Sequence, residues 1–245
     1  MTYPKKKWGQ NFLVDPNIIK KIIHTLEIKS KDQILEIGPG KGALTFSIKA
    51  QKVFAIEIDK DLCDLLSRKK QKNLTIINED ILKTNIENLK INKVVGNLPY
   101  NISSQIIFKI LKNNNWDTAI FMIQKELAER ITSKEGSKQY GRISVMIQSL
   151  CDVKREFNVS PNCFSPKPNV SSTIISLKKK KKIVFDYDKF EYVVKKIFSQ
   201  RRKKIKNTLT QISNYDELRN YTDKRPEQIS VEDYIKIASQ IKDLL

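Results

Sequence analysis

The segment QILEIGPGKG at residues 33–42 decides the fold class. An apolar run, QILEI, leads directly into a loop with glycine at every second position, Gly38, Gly40 and Gly42. Glycine lets the backbone pass close beneath a ligand, and the start of the helix expected from about Gly42 favours negative charge. A strand, a glycine loop and a helix in this order predict the first unit of an α/β sheet with a binding site at the loop.

The same rhythm continues along the chain. Apolar runs predict further strands at 52–58, 74–78, 93–97 and 117–124, and helical spacing occurs at 16–26, 59–69, 103–113 and 125–131. The more alternating runs at 153–159 and 171–177 predict antiparallel strands at the end of the sheet. We therefore expect an α/β fold with a doubly wound, Rossmann-like, mostly parallel sheet.

Five consecutive lysines at 178–182 end this pattern. Beyond them only helical spacing follows, at 187–198, 201–209 and 231–245. The sequence therefore predicts a boundary near residue 180, with one domain at 1–180 and a small, basic, all-helical domain at 181–245.

Charge is the unusual feature of the composition. The 245 residues include 46 Lys and Arg against 27 Asp and Glu, a net charge of +19. Such a field attracts a polyanion, either nucleic acid or an anionic membrane, although general overuse of lysine would also produce it. No run of about 18 apolar residues occurs, and the N-terminus lacks the apolar segment of a secretion signal. We expect a cytoplasmic protein with no membrane partner.

Metal and histidine chemistry have little support in the sequence. The three cysteines, Cys63, Cys151 and Cys163, are widely spaced, which favours a reducing compartment over a disulfide framework or a zinc site. The one histidine, His24, lies within an apolar helical pattern. We expect no metal cofactor and no catalytic histidine.

Carboxylates follow two successive predicted strands. Glu57 ends the second strand, where it could accept hydrogen bonds from both ribose hydroxyls of an adenosine-containing ligand. Asp59 competes for this role but also suits a helix N-cap, and Asp80, after the third strand, could meet an adenine amine. Each could also be a solvated acid at a strand end. The nicotinamide pattern G-x-G-x-x-G is not satisfied because residue 43 is alanine, and the spacing suits methyltransferases better.

The tetrapeptide Asn97-Leu98-Pro99-Tyr100 ends the fourth predicted strand and indicates the reaction. An adenine amine is a poor nucleophile, since its lone pair is delocalised into the ring. The Asn97 side-chain carbonyl and the Pro99 backbone carbonyl could each accept one N–H and aim the lone pair at a methyl donor. Tyr100 could stack on a base taken out of its helix. An ordinary Asn-x-Pro turn is the alternative interpretation.

The sequence resembles the ribosomal RNA adenine dimethyltransferases, and within them the bacterial small-subunit group. The motifs that carry the resemblance run in order through nearly the whole chain: KKKWGQNFLVD, EIGPGKGALT, AIEID, NLPYNISS, QKELAERI, YGRISVMIQ, CFSPKPNVSS, FSQRRKKIKNTL and RPEQIS. The resemblance implies a methyltransferase sheet that uses S-adenosylmethionine and releases S-adenosylhomocysteine. The implied substrate is the N6 amine of adenosines, two adjacent ones being dimethylated, in 16S ribosomal RNA of a pre-ribosomal particle. A monomer is the default expectation.

The resemblance also implies roles for individual residues. The implied cofactor-binding residues are Asn11, Leu13, Gly38, Gly40, Glu57, Asp80 and Asn97. The predicted catalytic residues are Asn97, Pro99 and Tyr100 of the tetrapeptide, to which the resemblance adds Phe164, opposite Tyr100 across the target base.

Basic residues of the C-terminal part are expected to bind RNA. Residues 178–209 carry 13 Lys and Arg against three acidic residues. Contacts to phosphates would position RNA there without reading its sequence. The predicted RNA-binding residues are Arg201, Arg202, Lys203 and Lys204, together with Lys5, Lys6 and Lys7 of an N-terminal segment that either touches RNA or closes the cofactor site. A solvated lysine-rich helix face is the alternative.

Two other functions compete. A large-subunit RNA dimethyltransferase of the macrolide-resistance type would use the same chemistry, but FSQRRKKIKNTL at 198–209 resembles the small-subunit group. A non-catalytic RNA-binding ribosome-assembly factor would use the same fold, although Glu57, Asp80, Asn97 and Tyr100 are all present. The C-terminal segments disfavour a DNA adenine methyltransferase.

Overall fold

The computed structural model describes residues 5, 8–113, 115–181, 184–209 and 215–241. The strands are β1 (Phe12–Leu13), β2 (Gln33–Ile37), β3 (Lys52–Ile56), β4 (Leu74–Ile77), β5 (Lys93–Asn97), β6 (Thr118–Gln124), β7 (Cys151–Val159), β8 (Phe164–Ser165) and β9 (Ser172–Lys179). The helices are α1 (Pro16–Thr25), α2 (Lys60–Ser67), α3 (Ser103–Lys112), α4 (Lys125–Thr132), α5 (Arg142–Leu150), α6 (Tyr187–Phe198), α7 (Lys206–Leu209) and α8 (Val231–Ser239). No helix in this described part of the chain is long and apolar enough to cross a bilayer.

Seven strands form one sheet in the order β4-β3-β2-β5-β6-β9-β7. The first five are parallel, while β9 runs antiparallel to β6 along its whole length. The Rossmann-like, mostly parallel sheet predicted from the sequence is therefore confirmed. Because the strand order reverses between β2 and β5, a crevice opens at their carboxyl ends, where open α/β sheets bind ligands.

The helix predicted from about Gly42 does not form. Turns occupy 40–44, and one 3-10 turn follows at Thr45–Ser47. Gly42 has a φ of +87°, which an α-helix does not accommodate, and a Cβ there would lie 2.1 Å from the Phe46 ring. The glycine loop therefore remains non-helical, and its backbone lies beside the crevice.

The chain divides into two compact units. The first comprises Met1–Ala128 and Lys154–Lys179, and the second comprises Glu129–Val153 and Lys180–Leu245. One passage between the units lies between Lys179 and Lys180, and the domain division predicted near residue 180 stays a prediction. The segment 129–153, however, groups with the C-terminal residues and not with the remainder of 1–180, because its α5 packs against α6 and α8.

Helices of the second unit differ in length from the sequence expectation. The helix predicted at 201–209 begins only at Lys206, and the helix predicted at 231–245 ends at Ser239. Residues beyond 241 lie outside the described part. The Ser230 hydroxyl accepts the Asp233 N–H at 3.0 Å, as expected of a helix N-cap. The five-lysine run is not simply a linker, since its first two residues complete β9.

Candidate active site

A pocket opens where β2, β3, β4 and β5 end. Its walls come from the segment 8–13, from the glycine loop and from the residues that follow each of these strands. The predicted site residues that line it are Asn11, Leu13, Gly38, Gly40, Glu57, Asp80, Asn97, Pro99 and Tyr100.

Glu57 is a rigid hydrogen-bond acceptor in this pocket. Its side chain is 5% exposed, and its two carboxylate oxygens accept the Gly40 N–H at 3.1 Å and the Asp59 N–H at 3.0 Å. Burial raises the pKa of Glu57, and these hydrogen bonds oppose part of the rise. Each oxygen retains accepting capacity for a ligand hydroxyl.

Asp59 does not compete for the role of Glu57. Its carboxylate accepts the Asp61 N–H at 3.1 Å as the N-cap of α2. The same carboxylate binds the Lys5 ammonium at 2.7 Å and the Gln10 amide at 3.1 Å. The protein therefore engages both oxygens of Asp59, and Asp59 is not among the residues that line the pocket, whereas Glu57 is.

Glu36, at the end of β2, is a pocket residue to which the sequence assigned no role. Its side chain is 1% exposed, and its Oε2 atom has no hydrogen-bond partner among the described residues. Burial raises the pKa of Glu36 from its ordinary 4.5 to about 7, and the nearby Glu57 carboxylate adds to the rise. An orphaned buried acceptor in a pocket is a place for a ligand donor or cation.

Replacing Glu36 by glutamine is expected to raise stability more at alkaline than at acidic pH. A carboxyl whose pKa is raised on folding binds more protons in the folded state, so the free energy of unfolding falls as pH rises from 4.5 through 7. Glutamine does not titrate, so the stability difference from the parent should grow by about 2 kcal/mol between about pH 5.5 and about pH 8. Urea unfolding at both values measures it.

The matched control is Glu126→Gln, which changes an exposed glutamate on α4. This variant removes the same negative charge from an exposed position. A Glu36→Gln stability difference that changes with pH no more than that of Glu126→Gln would show that burial does not raise the pKa of Glu36.

Two apolar residues that line the pocket were not predicted from the sequence. Ile58 is 42% exposed although it is large and apolar, and Ile81 is 7% exposed. Each directly follows a predicted acid, Glu57 and Asp80, which is the signal that could have located them. The Asp80 Oδ1 atom accepts the Leu82 N–H at 2.9 Å, while Oδ2 accepts nothing from any described residue.

Asn97 is held in one orientation. Its Nδ2 donates to the Asn11 backbone carbonyl at 2.8 Å. With one N–H of Nδ2 committed to Asn11, the amide oxygen Oδ1 and the second N–H remain for groups in the pocket.

The structure disfavours the acceptor role predicted for the Pro99 carbonyl. That oxygen accepts the Ser103 hydroxyl at 2.7 Å and the Ile102 N–H at 3.2 Å. A carbonyl has two lone pairs, so both are occupied. Leu98 also lines the pocket, and its carbonyl accepts no hydrogen bond from the described residues.

Tyr100 is fixed by a partner 72 residues away. Its hydroxyl lies 2.8 Å from the hydroxyl of Ser172, whose side chain is fully buried. Burial raises the pKa of Tyr100, and the Ser172 hydrogen bond opposes part of the rise. The ring is thereby set at the pocket wall.

Phe164 does not line the pocket. It lies in β8, opposite Leu13 of β1, and it is 5% exposed. Its ring belongs to the hydrophobic core with Leu13, Ile22 and Ile174. The described residues show no ring contact between Phe164 and Tyr100, and their placement on either side of a target base remains a prediction.

The predicted RNA-binding residues have different surroundings. Lys5 forms ion pairs with Asp59 and Asp61, whereas Lys6 and Lys7 lie outside the described residues. The Arg201 guanidinium donates to the backbone carbonyls of Lys138 and Tyr140.

Of the three basic residues that follow Arg201, two are exposed and available to bind phosphate. Lys204 pairs with Asp223 at 2.8 Å. Arg202 and Lys203 are exposed and, in the described part of the chain, have no ion-pair partner.

Comparison with known proteins agrees with this geometry. The model of the ribosomal RNA adenine dimethylase family matches residues 1–243. The chain is 42% identical to ribosomal RNA small subunit methyltransferase A of Malacoplasma penetrans over 255 residues, which covers 99% of this chain and 93% of that protein. It is also 42% identical to the protein of the same name from Borreliella afzelii over 249 residues, covering 97% and 89% respectively.

Solved structures give the same result. The crystal structure of a dimethyladenosine transferase from Plasmodium falciparum is similar with a TM-score of 0.85 and 28% sequence identity. The similarity covers 92% of this chain and 95% of that one. The resemblance noted in the sequence motifs is thereby confirmed, and the chain belongs to the ribosomal RNA adenine dimethylase family.

Proposed function

We propose that this protein transfers methyl groups from S-adenosylmethionine to the N6 amine of two adjacent adenosines in 16S ribosomal RNA, dimethylating each. The observation that carries the proposal is the held amide of Asn97, whose free oxygen lies in one pocket with the carboxylates of Glu57 and Asp80. The names of the curated relatives favour the small subunit over the large one.

The pocket suits S-adenosylmethionine. Glu57 would accept from the ribose hydroxyls, and Asp80 Oδ2 would accept from the adenine amine, whose ring Ile58 and Ile81 would enclose. The orphaned Glu36 Oε2 atom would face the cationic methionine portion, which favours an ionised carboxylate.

Gly38 and Gly40 would lie beneath the same portion of the cofactor. Gly40 has a φ of +59°, and a Cβ there would come within 3.0 Å of the Phe12 ring, which would have to move by a few tenths of an ångström. When bound, S-adenosylmethionine supplies an electrophilic methyl group.

The protein's contribution to the reaction is to hold the target amine. Asn97 Oδ1 would accept one N–H of the amine, and the free carbonyl of Leu98 replaces that of Pro99 as the second acceptor. Two acceptors pull the nitrogen towards tetrahedral geometry and direct its lone pair. A preorganised pair of acceptors also stabilises the positive charge that develops on nitrogen as it is methylated.

Tyr100 would stack on the flipped adenine. Base stacking on an aromatic ring contributes about 1–3 kcal/mol, which offsets much of the cost of unstacking a nucleotide. Because Ser172 fixes the Tyr100 hydroxyl, little conformational entropy is lost when the base arrives.

RNA binding is assigned mainly to Arg202 and Lys203. We expect the double variant Arg202→Ala, Lys203→Ala to bind RNA more weakly and to reduce the slope of log affinity against log salt by about 2. Arg201→Ala should instead reduce stability by about 0.5–1.5 kcal/mol, because hydrogen bonds to one exposed and one partly buried backbone carbonyl are lost. RNA binding over a series of KCl concentrations, with urea unfolding in parallel, separates the two effects.

The control for this prediction removes the same charge elsewhere. Lys20→Ala, Lys31→Ala changes two exposed lysines outside the basic segment. An equal loss of salt dependence in this control would mean that net charge, and not the 202–203 patch, carries the binding.

The proposed function is tested with labelled S-adenosylmethionine and small ribosomal subunits that lack their adenine methyls, followed by nucleoside mass analysis. Dimethyladenosine in the small-subunit RNA supports the proposal. Transfer to large-subunit RNA alone would assign the protein to the resistance type. Tight RNA binding with no transfer to either would make it an assembly factor.

The setting of the reaction belongs to the same proposal. We infer a monomer that acts in the cytoplasm on a pre-ribosomal particle, with residues 1–180 as the catalytic region and 181–245 as the basic RNA-binding region. The exposed Arg202 and Lys203 support the second assignment.

A further inference from the structure

Lys5 and residues 8–13 are here called the N-terminal arm; residues 8–13 line the pocket, and two anchors hold the arm. One anchor is β1, whose Phe12 and Leu13 pair with β8. The other is the Gln10 side chain. Gln10 Oε1 accepts the Lys5 backbone N–H at 2.8 Å, and its Nε2 donates to Asp59 Oδ2 at 3.1 Å.

Asp59 connects the Gln10 anchor to Glu57, which lines the pocket. It is 2% exposed, and its backbone N–H donates to Glu57 Oε1 at 3.0 Å. Its burial would raise the pKa of the carboxyl, but hydrogen bonds from Lys5 and Gln10 outweigh this and lower the pKa. The anchor is therefore ionised at neutral pH, and it is adjacent to the acceptor proposed for the ribose.

Asn11 lies between the two anchors and carries the contact to Asn97. Its backbone carbonyl accepts Asn97 Nδ2 at 2.8 Å. If this carbonyl moved, the Asn97 amide could rotate and present its NH₂ group to the target amine, which is a donor against a donor. The orientation of the proposed catalytic amide thus depends on where the arm holds Asn11.

We propose that Gln10 is a positioning residue, which acts through Asp59 and the Asn11 carbonyl to orient the Asn97 amide for methyl transfer. The inference rests on the proposed function, since it assigns Asn97 to the target amine. It connects the two ends of the pocket. Hydrogen bonds run from Glu57 through Asp59 to Gln10, and the backbone continues to Asn11, whose carbonyl holds Asn97.

The test is Gln10→Ala in the full chain, compared with Gln71→Ala, which removes a glutamine bonded to Asn73 outside the pocket. We expect Gln10→Ala to lower kcat by about 10-fold to 100-fold while KM for RNA changes by less than about threefold. Gln71→Ala should retain the parent kcat. An unchanged kcat in Gln10→Ala would overturn the proposal.

A second readout needs no turnover. Trp8 of the arm is partly exposed, and the other tryptophan, Trp116, is 2% exposed. Acrylamide quenching without cofactor should therefore report on Trp8, and it should increase in Gln10→Ala. Unchanged quenching would show that Gln10 does not hold the arm.

An exchange of the two partners separates positioning from a general loss of structure. Gln10→Glu alone places two carboxylates together and should lower kcat, whereas Gln10→Glu with Asp59→Asn restores a donor and an acceptor. We expect the pair to recover kcat to within about threefold of the parent. Failure to recover would overturn the proposal, whereas absence of dimethyladenosine with the unaltered protein would instead refute the proposed function.

Discussion

Replacing Asn97 by alanine should lower the rate of methyl transfer by about 100-fold or more, because one of two acceptors aimed at the developing charge is lost. RNA binding should be nearly unchanged, since the charged residues assigned to it lie elsewhere in the sequence. Single-turnover transfer and RNA affinity, the latter measured with S-adenosylhomocysteine present, test both parts.

Two further variants sharpen this test. Asn97→Asp keeps an acceptor but places a carboxylate beside the Asn11 carbonyl, so it should not restore activity. Asn85→Ala removes an exposed asparagine that accepts the Glu87 N–H at 3.0 Å, and it should transfer methyl groups normally. Turnover of Asn97→Ala within about threefold of the parent would mean that this amide does not hold the target amine.

The largest effect on stability is expected for Asp32→Ala. Asp32 is 4% exposed, and its carboxylate accepts the Lys29 N–H at 2.7 Å, Asn92 Nδ2 at 2.7 Å and Lys93 Nζ at 2.9 Å. Its removal leaves a buried ammonium without a counter-charge, which costs about 3–5 kcal/mol. Urea unfolding at pH 7 measures the loss.

The double variant Asp32→Asn, Lys93→Met is the control. It removes both charges together and should recover part of the lost stability, because no unpaired charge remains, while the backbone carbonyls of Leu26 and Glu27 still lose the Lys93 ammonium as their donor. Burial would raise the pKa of Asp32, yet its hydrogen bonds hold that pKa below 3.8. The stabilisation is therefore present at neutral pH and is lost only as pH falls through the lowered pKa.

Local patterns were sufficient for the sheet. The strands expected at 33–37 and 93–97 have those same limits in β2 and β5, because runs buried on both faces are continuously apolar. Helix α5 was missed for a related reason. Nearly all of its residues are buried, so it lacks the polar face that gives a helix its period.

Pocket residues were predictable where they directly follow a strand, as Glu57 and Asp80 do. Contacts between distant residues were not predictable. Neither the hydrogen bond from Tyr100 to Ser172 nor the one that commits the Arg201 guanidinium to a loop has a local signal. The Pro99 carbonyl shows the same limit, since its occupation by Ser103 depends on how α3 begins.

The discontinuity of the second unit has a consequence for how the chain is made and cut. Its α5 is synthesised before α6 and α8, so the helices that α5 packs against are absent when it first forms. A fragment that ended at residue 180 would contain α5 but would lack α6 and α8, the helices against which α5 packs. Truncated variants should therefore keep residues 129–153 together with residues 180–245, because these two stretches of sequence form one unit.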